Sequence, residues 1–321
     1  MSKDIKYFGI DISKDVFDLC DNNQVCYQFK NSISGFRKLL KLLDSKTVCV
    51  MEATGYYHVR LAYFLLESGL GVCVVNPLKI KRYTQMKLSK IKTDKSDAKA
   101  IQLYGKDCAP KLWKGQSKTQ QESLQLSRLL SVYSKQSTQL KNKIHGEEVL
   151  GNLSKIVVQS LKRQLKTLQK EIKKLEEALE KNVKSEYQES LTLLKSIPGI
   201  GNKTALMLLV FTDGFHRFES SKELCSYAGI TPIIRQSGSS VNGRPRISKM
   251  GNQKLRNLLF MCSFNACKYN AACKALYDRI VAKGKSKKLA LIAVCNKLLK
   301  QAFAIVKSGI PYDDNFRSTL A

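Results

Sequence analysis

The stretch IKYFGIDISKDVFDLCDNNQVCYQF, residues 5–29, decides the fold. Apolar and β-branched residues alternate with polar ones in three short runs, 5–11, 16–20 and 24–29, with Asp21, Asn22 and Asn23 supplying the turn between the last two. That pattern predicts an antiparallel meander of three strands. Downstream, Ser34 reads as the cap of an amphipathic helix whose face carries Phe36, Leu39, Leu40 and Leu43. A fourth strand, 48–51, ends at Glu52. After Gly55 come a helix over 57–68, a strand over 72–75 closed by Asn76 and Pro77, and two helical segments reaching about Asp107.

Three leading strands followed by alternating helices and strands is the order of a ribonuclease-H-like α/β sheet. The first domain is therefore expected over residues 1–110. From about 119 to 184 the chain has no proline and many Lys, Glu, Gln and Leu. Leu161, Leu165, Leu168, Ile172, Leu175 and Leu179 are spaced by alternating fours and threes, a coiled-coil seam. A helical segment over 111–189 follows, either a dimerisation arm or a plain two-helix packing unit within one subunit. A mostly helical domain is expected over 190–321. Its opening, SIPGIGNKTA, sets Pro198, Gly199 and Gly201 between two apolar helical stretches. This is a helix-hairpin-helix pattern, in which backbone N–H groups near Gly199, Gly201 and Lys203 approach a phosphate. An ordinary helix–helix turn is the competing reading.

The formal charge of +29 is uneven: +7 over residues 1–110, +7 over 111–190 and +15 over 191–321. Between Arg235 and Lys307 stand sixteen basic residues and one acid, Asp278, which points to a polyanionic partner. No apolar run approaches the roughly 18 residues of a membrane span, so nucleic acid is favoured over a membrane. The start, MSKDIKYF, lacks the apolar core of a signal peptide. The ten cysteines form no C-x-x-C pair and lie mostly in apolar stretches, so reduced thiols and a cytoplasmic location are expected.

In so basic a chain, acids gathered in one place read as metal ligands acting on a phosphodiester. Asp11 closes the first strand and Glu52 the fourth, on strands that would be neighbours. Asp94 and Asp97, in KTDKSDAKA, share a helix face. Oxygen ligands of this kind suit Mg²⁺, with Mn²⁺ as a substitute. Asp15, in the turn, and Asp18, in the second strand, fit the cluster less well. A second constellation lies in YAGITPIIRQSGSSVNGRPRISKMGNQKLRNLLF. Ser237, Ser239 and Ser240 stand among glycines, with Arg235, Arg244, Arg246, Lys249, Lys254 and Arg256 around them. Such a loop can bind phosphate by hydroxyl and backbone alone, or carry a serine nucleophile with arginines stabilising the charge. It contains no histidine to act as base.

Taken in order, GIDISKDVFDLC, CVMEATGYY, KTDKSDAKA, SIPGIGNKTA and AGITPIIRQSGSSVNGRPRISKMGN resemble the DEDD insertion-sequence transposases, RuvC-like recombinases of bacterial mobile elements guided by a bridge RNA. The resemblance covers nearly the whole chain. It implies a RuvC-like domain with Asp11, Glu52, Asp94 and Asp97 as the metal-binding tetrad, then a coiled coil, then a transposase domain with a catalytic serine. It further implies a 5'-phosphoserine DNA intermediate, with Mg²⁺ assisting. Double-stranded DNA at element ends and target, a structured noncoding guide RNA, and assembly as a homodimer or homotetramer are the implied partners, in a bacterial cytoplasm. Base pairing would then read sequence while protein reads backbone and shape. Ser237 in RQSG matches the nucleophile position best, with Ser239 and Ser240 as alternatives. Three rivals stand beside this reading. One is a Mg²⁺-dependent RuvC-like junction resolvase or nuclease using water, another a non-catalytic nucleic-acid-binding protein. The third is a sugar-kinase-like ATPase, which GIDIS also fits but whose later phosphate loops are absent.

Overall fold

A computed structural model describes residues 5–88, 93–151, 154–238 and 241–315. The chain divides into two compact units, 1–115 and 116–321.

The first unit is built on a five-stranded sheet of order β3-β2-β1-β4-β5. Its strands are β1 (Lys6–Ile12), β2 (Val16–Cys20), β3 (Cys26–Lys30), β4 (Thr47–Glu52) and β5 (Gly71–Val75). β1, β2 and β3 form the antiparallel meander, while β4 and β5 run parallel to β1. β3 begins at Cys26 because Gln24 takes a left-handed conformation (φ 63°) and the Asp21 carboxylate holds the turn, accepting from the N–H groups of Asn23 and Val25 at 2.8 Å each.

Helices α1 (Ile33–Leu40) and α2 (Tyr57–Glu67) cover one sheet face. Their Phe36, Leu39, Leu61 and Leu65 pack with Ile10, Phe17, Leu19 and Met51 in one buried cluster. Ser32 rather than Ser34 caps α1, its hydroxyl accepting from the N–H of Gly35. The helix also stops short of Leu43.

Helices α3 (Pro77–Met86) and α4 (Asp94–Cys108) cover the other face, where Ile101 and Tyr104 pack on Val50, Cys73 and Val75. α4 lies very close to β1. A Cβ on Gly9 would stand 2.2 Å from the Ala98 carbonyl oxygen and 2.3 Å from the Gln102 nitrogen, both backbone atoms that cannot swing aside. Only glycine permits this approach.

The second unit opens with α5 (Lys118–Leu150) and α6 (Lys155–Lys195), which fold back on each other as a helical hairpin. Within the seam, Leu179 is buried and Ile172 and Leu175 pack against the same core. The apolar repeat is thus at least partly satisfied inside one chain. α7 (Asn202–Thr212) is the pillar of this unit, with every residue from Thr204 to Thr212 buried. Around the core stand α6, α8 (Ser221–Ala228), α9 (Gln253–Tyr269) and α11 (Lys287–Ser308), with α10 (Ala271–Ala282) against α9 and α11.

The serine-rich segment, expected as a loop, is an antiparallel hairpin of β6 (Pro232–Ser237) and β7 (Val241–Ile247). Its β-branched Ile233, Ile234 and Ile247 favour the extended pairing despite Gly243 and Pro245.

α11 corrects one expectation. By length and composition it is apolar enough to cross a membrane. Its stripe of Val294, Cys295, Leu298, Leu299 and Ala302 is packed into the core of the unit, and the lysines at 297 and 300 hide the run in the sequence. All ten cysteines are unpaired thiols, most of them buried.

Two glycine substitutions separate packing from propensity. Gly9→Ala should destabilise the protein by about 1–3 kcal/mol through forced separation of α4 from β1. Gly146→Ala, near the C-terminal end of α5 with open space around it, should stabilise by up to about 1 kcal/mol. Urea denaturation midpoints check both.

Candidate active site

Three local devices bring the acids of the first unit toward one another. Gly9 faces α4 across the tight contact, so Asp11, two residues on, points from the same face of the sheet. Val50 touches α4 at Gly105, so Glu52, also two residues on, faces the same way at the end of β4. The register Ile10↔Met51 makes Asp11 and Glu52 near neighbours on adjacent parallel strands. On α4, a capping box fixes the first turn: the Ser96 N–H donates to Thr93 Oγ1 at 3.1 Å and the Thr93 N–H to Ser96 Oγ at 2.8 Å. Asp94 and Asp97 lie in that turn, where the helix dipole favours negative charge.

The electrostatics record the convergence. The Asp11 carboxyl is pushed up to about 6, first by burial and then by the negative charges of Asp97, Asp94 and Glu52. All four acids therefore share one field. Asp11, Glu52 and Asp97 are half-buried and Asp94 is exposed. Thr54 donates its hydroxyl to Glu52 Oε1 at 2.9 Å. Among the described residues, no three His, Cys, Asp or Glu side chains stand close enough to grip an ion as they are. An all-oxygen donor set of this charge fits a hard divalent cation.

Asp18, set aside on sequence grounds, lies directly opposite Asp11 in the β1/β2 register. It is only 3% exposed, and Gln28 Nε2 reaches both of its carboxylate oxygens at 3.3 Å. The signal was the strand register, which alternation alone does not reveal. Burial pushes the imidazole of His58, in the first turn of α2, below the usual histidine range, and its Nδ1 is buried with no partner among the described residues.

In the second unit, Ser237 ends β6, paired with Val241, with an exposed side chain. Its hydroxyl has no hydrogen-bond partner among the described residues. Ser239 and Ser240 lie outside the described residues, as do the side chains of Arg235 and Arg244. Arg246, on β7 opposite Ile233, and Lys249 just beyond the hairpin are exposed. Arg256 instead donates from Nη1 to the carbonyl of Ala228 at 2.8 Å, which ties it to the end of α8. Lys254 lines a groove together with Lys203. Gly199 has a packing reason to be glycine: at φ 102° its missing Cβ would strike the backbone of Ala266 in α9. Gly201, at the cap of α7, faces open space, and Lys203 pairs with Glu176 at 3.1 Å.

Residues 8–150 match a transposase family model of the IS110 DEDD type, and residues 191–278 match the model described as Transposase IS116/IS110/IS902 family. A pilin gene-inverting protein of Moraxella bovis is 33% identical over 322 residues, which cover 96% of this chain and 97% of that protein. The chain belongs to the IS110-type DEDD transposases. A transposase for insertion sequence element IS1111A of Coxiella burnetii is 27% identical over 92% of this chain and 88% of its own length. The transposase is thus an enzyme that acts on DNA, and a DEDD domain of this family typically binds divalent metal.

The Asp11 shift gives a signed expectation. Its pKa is near 6 folded and about 3.9 unfolded, so between those values the folded state holds the extra proton. Metal-free stability contributed by this group falls as pH rises through that window. Asp11→Asn should therefore raise the melting temperature in EDTA at pH 8, with the gain vanishing below about pH 4. Divalent cation should raise the melting temperature of the wild type more than that of the variant.

Proposed function

We propose that this transposase moves a mobile element by serine-mediated strand exchange: Asp11, Glu52, Asp94 and Asp97 hold Mg²⁺, and Ser237 forms a 5'-phosphoserine link to DNA. The observation that carries the reading is the shared field of the four acids around Asp11. The strand order of the first unit supports a ribonuclease-H-like, RuvC-like domain as their scaffold. The exposed side chain of Ser237 at the end of β6, its hydroxyl without a partner among the described residues, supports the nucleophile assignment, with Arg246 and Lys249 nearby in sequence. The alternatives Ser239 and Ser240 follow within three residues in the sequence.

In the covalent step, Ser237 Oγ forms a bond to phosphorus while the bond from phosphorus to the 3'-oxygen breaks. The serine proton is lost to solvent, and the departing 3'-hydroxyl gains one. Attack by a 3'-hydroxyl from the partner strand reverses these changes and frees the serine, so phosphodiester bonds are exchanged with no net hydrolysis. Arg246 and Lys249 would offset charge on the phosphoryl oxygens. The cation held by the tetrad would supply electrostatic stabilisation of phosphodiester oxygens.

A structured noncoding RNA would select the DNA by base pairing, leaving the protein to read backbone and shape. The excess of +15 in the last third suits both polyanions. A homodimer or homotetramer is the working assembly, and the exposed Val149, Leu150 and Ile156 at the tip of the α5/α6 hairpin support an interface between copies.

Ser237→Ala should abolish a denaturation-resistant protein–DNA adduct and lower recombination by roughly a thousandfold or more, with Ser239→Ala and Ser240→Ala much milder. A hydrolytic nuclease would give full cleavage in Ser237→Ala and no adduct in the wild type.

A further inference from the structure

The second unit contains a groove of about 640 Å³, inside the roughly 300–1,000 Å³ spanned by ligand clefts. α7 is its floor and packs against both α5 and α9, which form the walls. The α5 wall presents Ser131, Ser134, Lys135 and Thr138, spaced to share one helical face. The floor and the α9 wall add apolar surface from Met207, Phe211, Leu258 and Met261. No acidic residue lines the groove.

The charge in this groove is unbalanced. Lys254, on the α9 wall, is pushed below the usual lysine range, first by burial and then by the positive charges of Lys135 and Arg128. Lys135 and Lys254 have no carboxylate partner among the described residues, whereas Lys203 is offset by Glu176. Nor do the hydroxyls of Ser131 and Ser134 have a hydrogen-bond partner there. Cations on opposite walls of one cleft, with the Ser131 and Ser134 hydroxyls on the α5 wall, call for an anion. An apolar floor beneath them calls for a ligand with a flat apolar face as well.

A duplex offers a convex, charged backbone and keeps its bases stacked inside, so it could satisfy the walls but not the floor. An unpaired strand offers both phosphates and base faces, and a positively charged groove with stacking side chains, chiefly aromatic, holds such strands; here Phe211 lies in the floor beside Met207. Resting on the reading of this enzyme as one that handles nucleic acid, we propose that the α5/α7/α9 groove binds unpaired nucleotides. Phosphates meet Lys135, Lys254 and the α5 hydroxyls, and bases lie against Met261, Leu258 and Met207. The unpaired stretch comes either from DNA opened during exchange or from an RNA loop, which share this chemistry.

The test is fluorescence anisotropy on the full chain in EDTA, where tetrad-dependent chemistry is silent. The probes are labelled oligothymidylate, oligouridylate and a duplex of equal length. Lys135→Ala/Lys254→Ala should flatten the dependence of log affinity on log salt by about 1.4 for the single strands, about 0.7 for each phosphate no longer neutralised. Met261→Ala leaves the charge unchanged, and at 65% exposure the truncation spares the core. It should weaken single-strand binding roughly tenfold through lost apolar contact while duplex affinity stays within about twofold. A preference for oligouridylate or oligothymidylate that disappears in Met261→Ala assigns the source as RNA or DNA. Equal effects of Met261→Ala on duplex and single strand, or an unchanged salt slope in the lysine pair, would overturn the proposal. So would a Met261→Ala effect confined to sedimentation mass, which would make the groove an interface between copies. Adduct formation by Ser237 is a separate readout, so the serine mechanism and this groove stand or fall independently.

Discussion

The closeness of α4 to β1 is the constraint on which the grouping of acids in the first unit depends. Gly9 allows helix backbone to rest where any other side chain would stand. With the helix that close, its first turn carries Asp94 and Asp97 into the field of Asp11. Like charges brought together in a partly buried place are destabilising, and the fold sustains them through elements that do not depend on the acids. Apolar clusters hold both sheet faces, a reciprocal capping box holds the helix start, and parallel pairing holds Glu52 at the end of β4. A divalent cation held by these acids would relieve that repulsion and would stabilise the unit by binding its folded state.

The second unit solves a different problem. It must keep a strongly basic chain folded while leaving much of that charge available. A fully buried α7 supplies the apolar mass at the centre, and the helices around it turn their lysines outward. Some basic residues are consumed in the scaffold, as Arg256 is at the end of α8. Others, including Lys135 and Lys254, face like charge. That distinction separates cations that maintain the fold from cations available to a polyanion.

Much of this organisation can be read from local pattern. The meander, the parallel strands and the helix bearing Asp94 and Asp97 follow from alternation, helical spacing and turn residues, because those signals are local. What escaped was set by contacts between distant segments. The Asp18 carboxylate faces Asp11 only because of the β1/β2 register. Gly199 is glycine because of Ala266, far along the chain. The hairpin bearing Ser237 looks like a loop from its glycines and proline, yet cross-strand pairing overrides their local preference. Ser32 and Ser34 are equally good caps on paper, and the backbone alone selects Ser32. In α11, two lysines mask an apolar helix whose inner face completes the core.

The most direct measurement is the anomalous scattering of crystals of the protein soaked in Mn²⁺. The expected result is Mn²⁺ bound to the Asp11 carboxylate together with carboxylates from Glu52, Asp94 or Asp97, and absent in Asp11→Asn. Saturating Mn²⁺ that leaves Asp11 without a bound ion, or that binds only to other residues, would contradict it.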